Sequence, residues 1–174
     1  NVPKMVDGHV CHDVDMIFEE IKTAIRKAGR VDSIAFDTWG VDYALLDEEG
    51  NIIHEPYHYR DSRTANALEI AFTKMPAEAI FVETGNQIMN INTLFQLLCD
   101  KDLNNADKLL FTPDLFAYLL TGDKVREVTI ASTSQMFDMV KGEWSKKVLD
   151  TFGIKKELLP PLKKSATING YYNG

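Results

Sequence analysis

The first part of the sequence places an amphipathic helix directly before a short apolar segment. Apolar residues recur at helical spacing from about residue 14 to Ala28, with Asp13 positioned to cap the helix and Gly29 to end it. Residues 33–36 then have the composition of a buried strand. A helix followed by a buried strand is half of an α/β unit, so the sequence predicts a helix lying on a sheet.

Periodicity and turn residues predict the remaining elements. Residues 43–46 continue as a strand, and the turn at 47–51 followed by an apolar segment at 52–54 predicts a hairpin that ends before Pro56. A further strand is expected at 109–111. Helical patterns cover about 63–75, a segment capped at Asn92 or Thr93, 112–121 ending at Gly122, and 145–152 ending at Gly153.

The length, net charge and hydropathy of the sequence argue against several classes of protein. A chain of 174 residues matches one domain, and a net charge of −7 with only short basic clusters such as Lys146-Lys147 and Lys163-Lys164 argues against nucleic-acid binding. No run approaches the roughly 18 apolar residues of a membrane span, and the first residues lack a signal-peptide core. A cytoplasmic protein is expected. Cys11 and Cys99 form no CxxC pattern and are expected to be free thiols.

The segment "FDTWGVDYALLD", residues 36–47, carries polar residues where a core strand would be apolar. Trp39 alone fits either the core or a ligand platform. Gly40 would let the backbone approach a bound molecule, and Asp37 and Asp42 could accept hydrogen bonds from hydroxyl groups. The sequence leaves open whether either carboxylate acts as a general base.

A possible metal-ligand cluster occurs in "HVCHDVD". Its candidate ligands are His9, Cys11, His12, Asp13 and Asp15. Zinc sites use four convergent ligands, usually as two separated pairs, and no second pair follows. Helix capping by Asp13 is therefore the favoured interpretation, and no metal ligand is predicted from this segment.

Two polar loops have alternative interpretations. In "YRDSRT", Arg60, Asp61 and Arg63 could hold an anion or a polyol, or Asp61 could form a structural pair with arginine while Asp61 or Ser62 caps the next helix. Asn86 and Asn92 could contact sugar hydroxyls, or Asn92 could cap a helix. The sequence contains no P-loop, dinucleotide-binding or nucleophile-elbow motif.

Taken together, these motifs resemble a known family. The segments "IAFDTWGVDYALLDEEGNI", "YRDSRT", "TGNQIMNINTLFQL", "PDLFAYLLTG" and "ASTSQMFDM" occur in the order and spacing of rhamnulokinases, a group within the FGGY sugar kinases. The resemblance implies an α/β, ribonuclease H-like fold of the actin and hexokinase type. It also implies ATP-dependent, magnesium-dependent phosphorylation of L-rhamnulose at its 1-hydroxyl.

The resemblance places a sugar contact at Gly40, with further substrate-binding residues around it. The residues implied are Trp39, Gly40, Val41, Asp42, Arg60, Asp61 and Asn92. Two alternatives to this assignment remain. The sugar could be another ketose or deoxysugar, such as fuculose or xylulose, or the chain could be a non-catalytic binding module derived from a kinase.

Some parts of the family pattern are not in this sequence. The family's Asp-x-Gly phosphate segment would precede Asn1, its catalytic aspartate and second domain would follow Gly174, and no catalytic or ATP-binding residue is assigned within the chain. Residues 1–174 are therefore expected to be a partial N-terminal sugar-binding domain, truncated at both ends and without its first hairpin strands. We expect it to be inactive alone, to bind neither ATP nor Mg²⁺, and to self-associate through a sheet edge near Ile34.

Overall fold

The structure, a computed structural model, describes residues 2–172. Helices and short strand pairs alternate along the chain. The strands are β1 Lys4–Val6, β2 His9–Cys11, β3 Tyr43–Leu46, β4 Lys108–Phe111, β5 Arg126–Glu127, β6 Phe137–Asp138, β7 Glu143–Trp144 and β8 Leu162–Lys163. The helices are α1 Val14–Ala28, α2 Ala67–Lys74, α3 Ala77–Thr84, α4 Thr93–Leu97, α5 Thr112–Thr121, α6 Val128–Ser132 and α7 Lys146–Phe152.

The core lies on both faces of the β3–β4 pair. These strands are antiparallel, with Tyr43 opposite Phe111 and Leu46 opposite Lys108. Because side chains alternate along a strand, Tyr43 and Leu45 face the larger apolar cluster, which includes residues of α2, α3, α4 and α7. Ala44 and Leu46 face a smaller cluster with α1 and α5. Helices therefore cover both faces, as the predicted α/β class requires.

The local signals around α1 are confirmed, but the strand predicted after it is not. Asp13 accepts a hydrogen bond from the Met16 amide at 3.1 Å, and Gly29 ends the helix with a φ of 72°. Residues 33–36, however, form no strand in the structure. A strand requires a neighbour for its backbone N–H and C=O groups, and no segment within residues 2–172 pairs with this one. Self-association through this segment stays a prediction.

Two other predicted elements are altered. The expected hairpin strand at 52–54 is reduced to a bridge between Ile52 and Leu46, with the Ile53 amide donating to the Leu45 carbonyl. The helix expected over 63–75 begins as a 3₁₀ turn at Ser62–Thr64 and becomes α-helical only at Ala67. Helix α3, which follows Pro76, was not predicted.

The strand at 109–111 and the helices at 112–121 and 145–152 are confirmed, within a residue at their ends. Both helices end at a glycine in the left-handed conformation, Gly122 and Gly153, as predicted. Cys11 and Cys99 are free. None of the helices between residues 2 and 172 has the length and apolar character that crossing a membrane requires.

Two buried ionisable residues lie beside the larger cluster. The guanidinium of Arg126 is fully buried, with its carbon 5.1 Å from the Phe111 ring centre and 5.4 Å from that of Trp144. Its three nitrogens have no hydrogen-bond partner among the described residues. Asp114, also buried, accepts one hydrogen bond from the Glu127 amide at 3.2 Å. Burial raises the pKa of Asp114 to about 7 and lowers the pKa of Arg126 to about 9.

Candidate functional site

A strained turn precedes β3. The Asp42 amide donates to the Gly40 carbonyl at 2.9 Å, and Val41 between them has a φ of 69°. A β-branched residue rarely adopts a positive φ, so this conformation costs free energy that surrounding contacts must offset. The Val41 carbonyl accepts hydrogen bonds from Thr93 at 2.7 Å and Gln96 at 3.3 Å. The start of α4 therefore holds this segment, which we call the 40–42 turn.

Asp42 is buried and accepts hydrogen bonds from four groups. Its Oδ2 accepts from His12 Nε2 at 2.6 Å, Trp39 Nε1 at 2.9 Å and the Tyr59 amide at 3.2 Å, and its Oδ1 accepts from Gln96 Nε2 at 3.0 Å. We call these five residues the Asp42 cluster. Because Asp42 is already bonded to protein donors, it orients the neighbouring loops and has little capacity left for a sugar hydroxyl.

Aromatic rings extend from the Asp42 cluster toward the "YRDSRT" loop. The ring of His12 lies 4.7 Å from those of Trp39 and His58, and His58 stacks on Tyr59 at 4.5 Å. Trp39 is partly exposed, with its indole N–H directed inward to Asp42. It is therefore neither a core residue nor a free platform, but part of a wall formed by these rings.

Gly40 lies against the loop that follows α6. A Cβ atom built on Gly40 would be 3.2 Å from Thr133 Oγ1 and 3.4 Å from its Cβ and Cγ2. Asn86 supports the same loop, since its Nδ2 donates to the carbonyls of Ser132 and Thr133. The glycine thus lets the 40–42 turn pack closely against the Thr133 side chain, which fixes the position of the turn.

Asp61 and Arg60, the two residues of the "YRDSRT" loop that the resemblance assigns to substrate binding, have different environments in the structure. Asp61 is buried, accepts from the amides of Val10 and Arg63, and contacts His9 at 3.1 Å. Burial opposes ionisation of Asp61, but these hydrogen bonds outweigh it and lower its pKa. These contacts agree with the interpretation in which Asp61 caps the turn that follows it and stabilises the loop. Arg60 is exposed, with its guanidinium carbon 5.3 Å from the Tyr59 ring centre, and remains accessible.

Asn92 points into the protein. Its Nδ2 donates to the Gln87 carbonyl at 2.8 Å and to Gln135 Oε1 at 2.6 Å, and the residue is fully buried. It occupies the N-cap position of α4 without a side-chain capping bond to a described residue. In this structure Asn92 connects two loops, and it is not exposed to a ligand.

The "HVCHDVD" side chains have separate partners. His9 contacts Asp61, His12 donates to Asp42, and Asp13 caps α1. Burial raises the pKa of the Cys11 thiol, which makes it a poor ligand or nucleophile at neutral pH. The capping role predicted for Asp13 is confirmed.

Several residues of the site were not identified from the sequence. His12, Gln96 and Thr133 support the 40–42 turn from other segments of the chain. Gln96 and Thr133 lie within "TLFQL" and "ASTSQM", segments that carried the resemblance without an assigned role. Two clefts, of about 540 and 270 Å³, are lined by other residues, so the candidate site is not part of either.

Comparison with known proteins identifies the family. The model for the FGGY family of carbohydrate kinases, N-terminal domain, matches residues 3–174. A rhamnulokinase of Lactiplantibacillus plantarum is 36% identical over 95% of this chain, and one of Bacteroides thetaiotaomicron is 38% identical over 87%. The chain spans about a third of the length of these relatives, 35% and 33% respectively.

Solved structures show the same fold. A ligand-bound xylulose kinase from Lactobacillus acidophilus matches 99% of this chain and 37% of its own, with a TM-score of 0.87 and 18% identity. A gluconate kinase from the same organism matches with a TM-score of 0.84, also at 18% identity. The predicted fold, that of the actin-like and hexokinase-like kinases, is confirmed. The chain therefore belongs to the FGGY family of carbohydrate kinases, within its N-terminal domain.

Proposed function

We propose that this domain forms one wall of the sugar pocket of an ATP-dependent, magnesium-dependent kinase that phosphorylates L-rhamnulose at its 1-hydroxyl. The observation that carries the proposal is the strained 40–42 turn, because a costly backbone conformation held by several side chains is typical of a ligand site. The choice of sugar is supported by relatives named rhamnulokinase at 34–39% identity.

In this proposal, Gly40 and Trp39 contact the sugar while Asp42 and Val41 position them. Gly40 exposes backbone polar groups to the ligand, and the partly exposed Trp39 ring supplies an apolar face. Arg60 is accessible for a polar contact. Asp61 and Asn92 stabilise the loops from within, so their contribution to sugar binding is through positioning.

The wall does not fit a magnesium–ATP complex. Mg²⁺ favours free carboxylate oxygens, whereas Asp42 accepts from four donors and Asp61 from two backbone amides. Phosphoryl transfer also requires a group that positions the hydroxyl and accepts its proton, and Asp42 is not free to do so. We therefore derive no catalytic step from these residues and assign them to sugar binding.

Substitution of Gly40 by alanine is expected to weaken sugar binding. The added Cβ would press on Thr133 and displace the 40–42 turn by a few tenths of an ångström. We expect the KM for the sugar to rise about tenfold, since small displacements of positioning residues have effects of this order. Steady-state kinetics on the full-length kinase, with L-rhamnulose varied at saturating ATP and Mg²⁺, measures the change.

Thr133→Ala provides the matched control and a rescue. It removes Oγ1 and Cγ2, two of the three atoms that the new Cβ would approach. The single Thr133→Ala variant is expected to keep a near-normal KM, and Gly40→Ala/Thr133→Ala is expected to recover most of the loss. If the double variant is as impaired as Gly40→Ala alone, contact with Thr133 is not the reason that position 40 requires glycine.

Substrate identity is tested on the full-length protein. With ATP and Mg²⁺, we expect turnover to be higher with L-rhamnulose than with fuculose or xylulose, measured as ADP release.

The 174-residue chain alone is expected to give no turnover, because its candidate site lacks a free proton acceptor. Preference for another sugar would reassign the substrate, and turnover by the 174 residues alone would contradict the sugar-binding assignment. Sugar binding without ATP turnover by the full-length protein would instead support a non-catalytic module.

A further inference from the structure

Three potential metal ligands from distant parts of the sequence converge outside the candidate sugar site. His54 follows the bridge at Ile52, Asp100 follows α4, and Asp102 precedes the 3₁₀ turn Leu103–Asn105. One ligand atom from each lies within 4.8 Å of the other two. The described residues contain one such group of three potential ligands. His54 Nε2 is 3.5 Å from Asp100 Oδ1 and 3.9 Å from Asp102 Oδ2.

The other ring nitrogen of His54 determines what Nε2 can do. His54 Nδ1 lies 2.8 Å from the Glu55 carbonyl oxygen, which can only accept a hydrogen bond, so Nδ1 carries a proton. In the neutral ring, Nε2 then presents a lone pair. This lone pair is buried, has no hydrogen-bond partner among residues 2–172 and faces two carboxylates. Such an arrangement is repulsive unless a positive charge lies between the three groups.

The spacing favours a metal ion over a proton as that charge. A protonated Nε2 would approach a carboxylate to about 2.7–2.9 Å, and separations of 3.5 and 3.9 Å are too long for a hydrogen bond. Nitrogen and oxygen ligands lie about 2.0–2.2 Å from Zn²⁺, which places ligands of a tetrahedral ion roughly 3.4 Å apart. The two distances from His54 Nε2, 3.5 and 3.9 Å, are close to this value, and the two carboxylate oxygens lie within 4.8 Å of each other.

The surroundings of the cluster match those of metal ligands. A ligating histidine usually donates its second N–H to a carbonyl or carboxylate, as His54 does to Glu55. Asp100 is oriented by the Tyr43 hydroxyl, which donates to Oδ2 at 2.8 Å, and by the Asp102 amide, which donates to Oδ1 at 3.0 Å. The side chains of His54 and Asp102 are 20% and 21% exposed, so the cluster lies near the surface.

We propose that His54, Asp100 and Asp102 bind a divalent transition-metal ion of the Zn²⁺ class, with water as the fourth ligand. The imidazole favours Zn²⁺ over Mg²⁺, which prefers oxygen ligands alone. The ion would join the loop after β3 to the loop after α4, and Tyr43 connects it to β3 itself. Its role is to hold these loops together, separate from the phosphoryl-transfer reaction.

Isothermal titration calorimetry of the chelator-treated protein with ZnCl₂ tests the site, and thermal denaturation with and without the metal gives the melting temperature. We expect one equivalent of Zn²⁺ to bind and to raise the melting temperature, while MgCl₂ at the same concentration gives no comparable change. Asp102→Asn keeps the shape of the side chain but removes its charge, and His54→Gln removes the nitrogen ligand. Both variants are expected to lose the stoichiometric binding. Tyr43→Phe is expected to weaken it by about 10–100-fold, because it affects only the orientation of Asp100.

Two matched controls separate the site from general charge effects. His9→Gln removes a histidine that also faces a carboxylate, Asp61, but at hydrogen-bond distance. Asp123→Asn removes an exposed carboxylate from the loop after α5. Both are expected to bind Zn²⁺ as the unchanged protein does. Circular dichroism of each variant without metal establishes that it is folded.

The proposal is overturned if the unchanged protein shows no stoichiometric Zn²⁺ binding, or if binding survives in both Asp102→Asn and His54→Gln. It is also overturned if ¹⁵N NMR at neutral pH shows both His54 nitrogens protonated and unaffected by added Zn²⁺, since a proton then supplies the positive charge. None of these three results affects the sugar-kinase proposal, because that proposal rests on the 40–42 turn and on turnover of sugar.

Discussion

Asp42→Ala is expected to lower the free energy of unfolding by about 3–5 kcal/mol, because each of the buried donors that it leaves without an acceptor costs about 1–3 kcal/mol. His12 and Asp42 are both almost fully buried and 2.6 Å apart. The substitution would leave the N–H groups of His12 and Trp39 and the Tyr59 amide without their acceptor, whereas Gln96 Nε2 would keep the Ile91 carbonyl, and each unsatisfied buried donor carries a desolvation cost. Urea denaturation followed by circular dichroism measures the effect.

Two variants define how this result is interpreted. Asp42→Asn keeps an acceptor oxygen but loses the charge, so we expect an intermediate loss. Asp37→Ala removes a nearby carboxylate that is exposed, and we expect a change within about 0.5 kcal/mol. An Asp42→Ala protein as stable as Asp37→Ala would mean that the Asp42 cluster does not stabilise the domain, and Asp42 would again be available as a direct sugar ligand.

The contribution of Asp114 to stability is expected to fall as the pH rises from about 4 to 7. Burial raises the folded-state pKa of this carboxyl from 3.8 to about 7, so the folded protein retains a proton that the unfolded chain has lost. Stability decreases with pH wherever the folded state binds more protons, and the loss from this group amounts to on the order of 4 kcal/mol. It is complete near pH 7, above the folded-state pKa.

Asp114→Asn isolates this contribution. The amide does not titrate, and its oxygen can still accept from the Glu127 amide. Urea denaturation of both proteins between pH 4.5 and 8 should give curves that diverge as the pH rises, with the variant becoming relatively more stable. The neighbouring charged groups, Arg126 and Glu127, are present in both proteins and stay charged over most of this range. Parallel curves would show that Asp114 is not buried as a neutral acid.

The sequence predicted those parts of the fold that depend on local signals. Asp13 and Gly29 define α1, Gly122 and Gly153 end their helices, and β3 was recognised from four consecutive apolar residues. Residues 34–36 are also apolar but form no strand, because strand formation depends on a partner elsewhere in the chain. Pairing is a non-local property that composition does not reveal.

The sequence singled out residues 37–42 as an interruption of a strand, and the structure has a turn at residues 40–42. The sugar contacts assigned to these residues stay a prediction. Asp42 was expected to face a sugar, yet protein donors occupy it, and Asn92 is directed inward. The arrangement depends on His12 and Gln96, whose partnership with Asp42 cannot be inferred from spacing along one segment.

The Asp42 cluster also has a consequence for how the protein folds. His12, Tyr59 and Gln96 lie 30, 17 and 54 positions from Asp42 in the sequence. Each contact closes a loop of chain before it contributes any stabilisation, and contacts of this kind form slowly. The wall proposed to bind sugar should therefore be completed late in folding, after the helices with strong local signals. A sugar-binding signal during refolding would then report the finished domain rather than a partly folded intermediate.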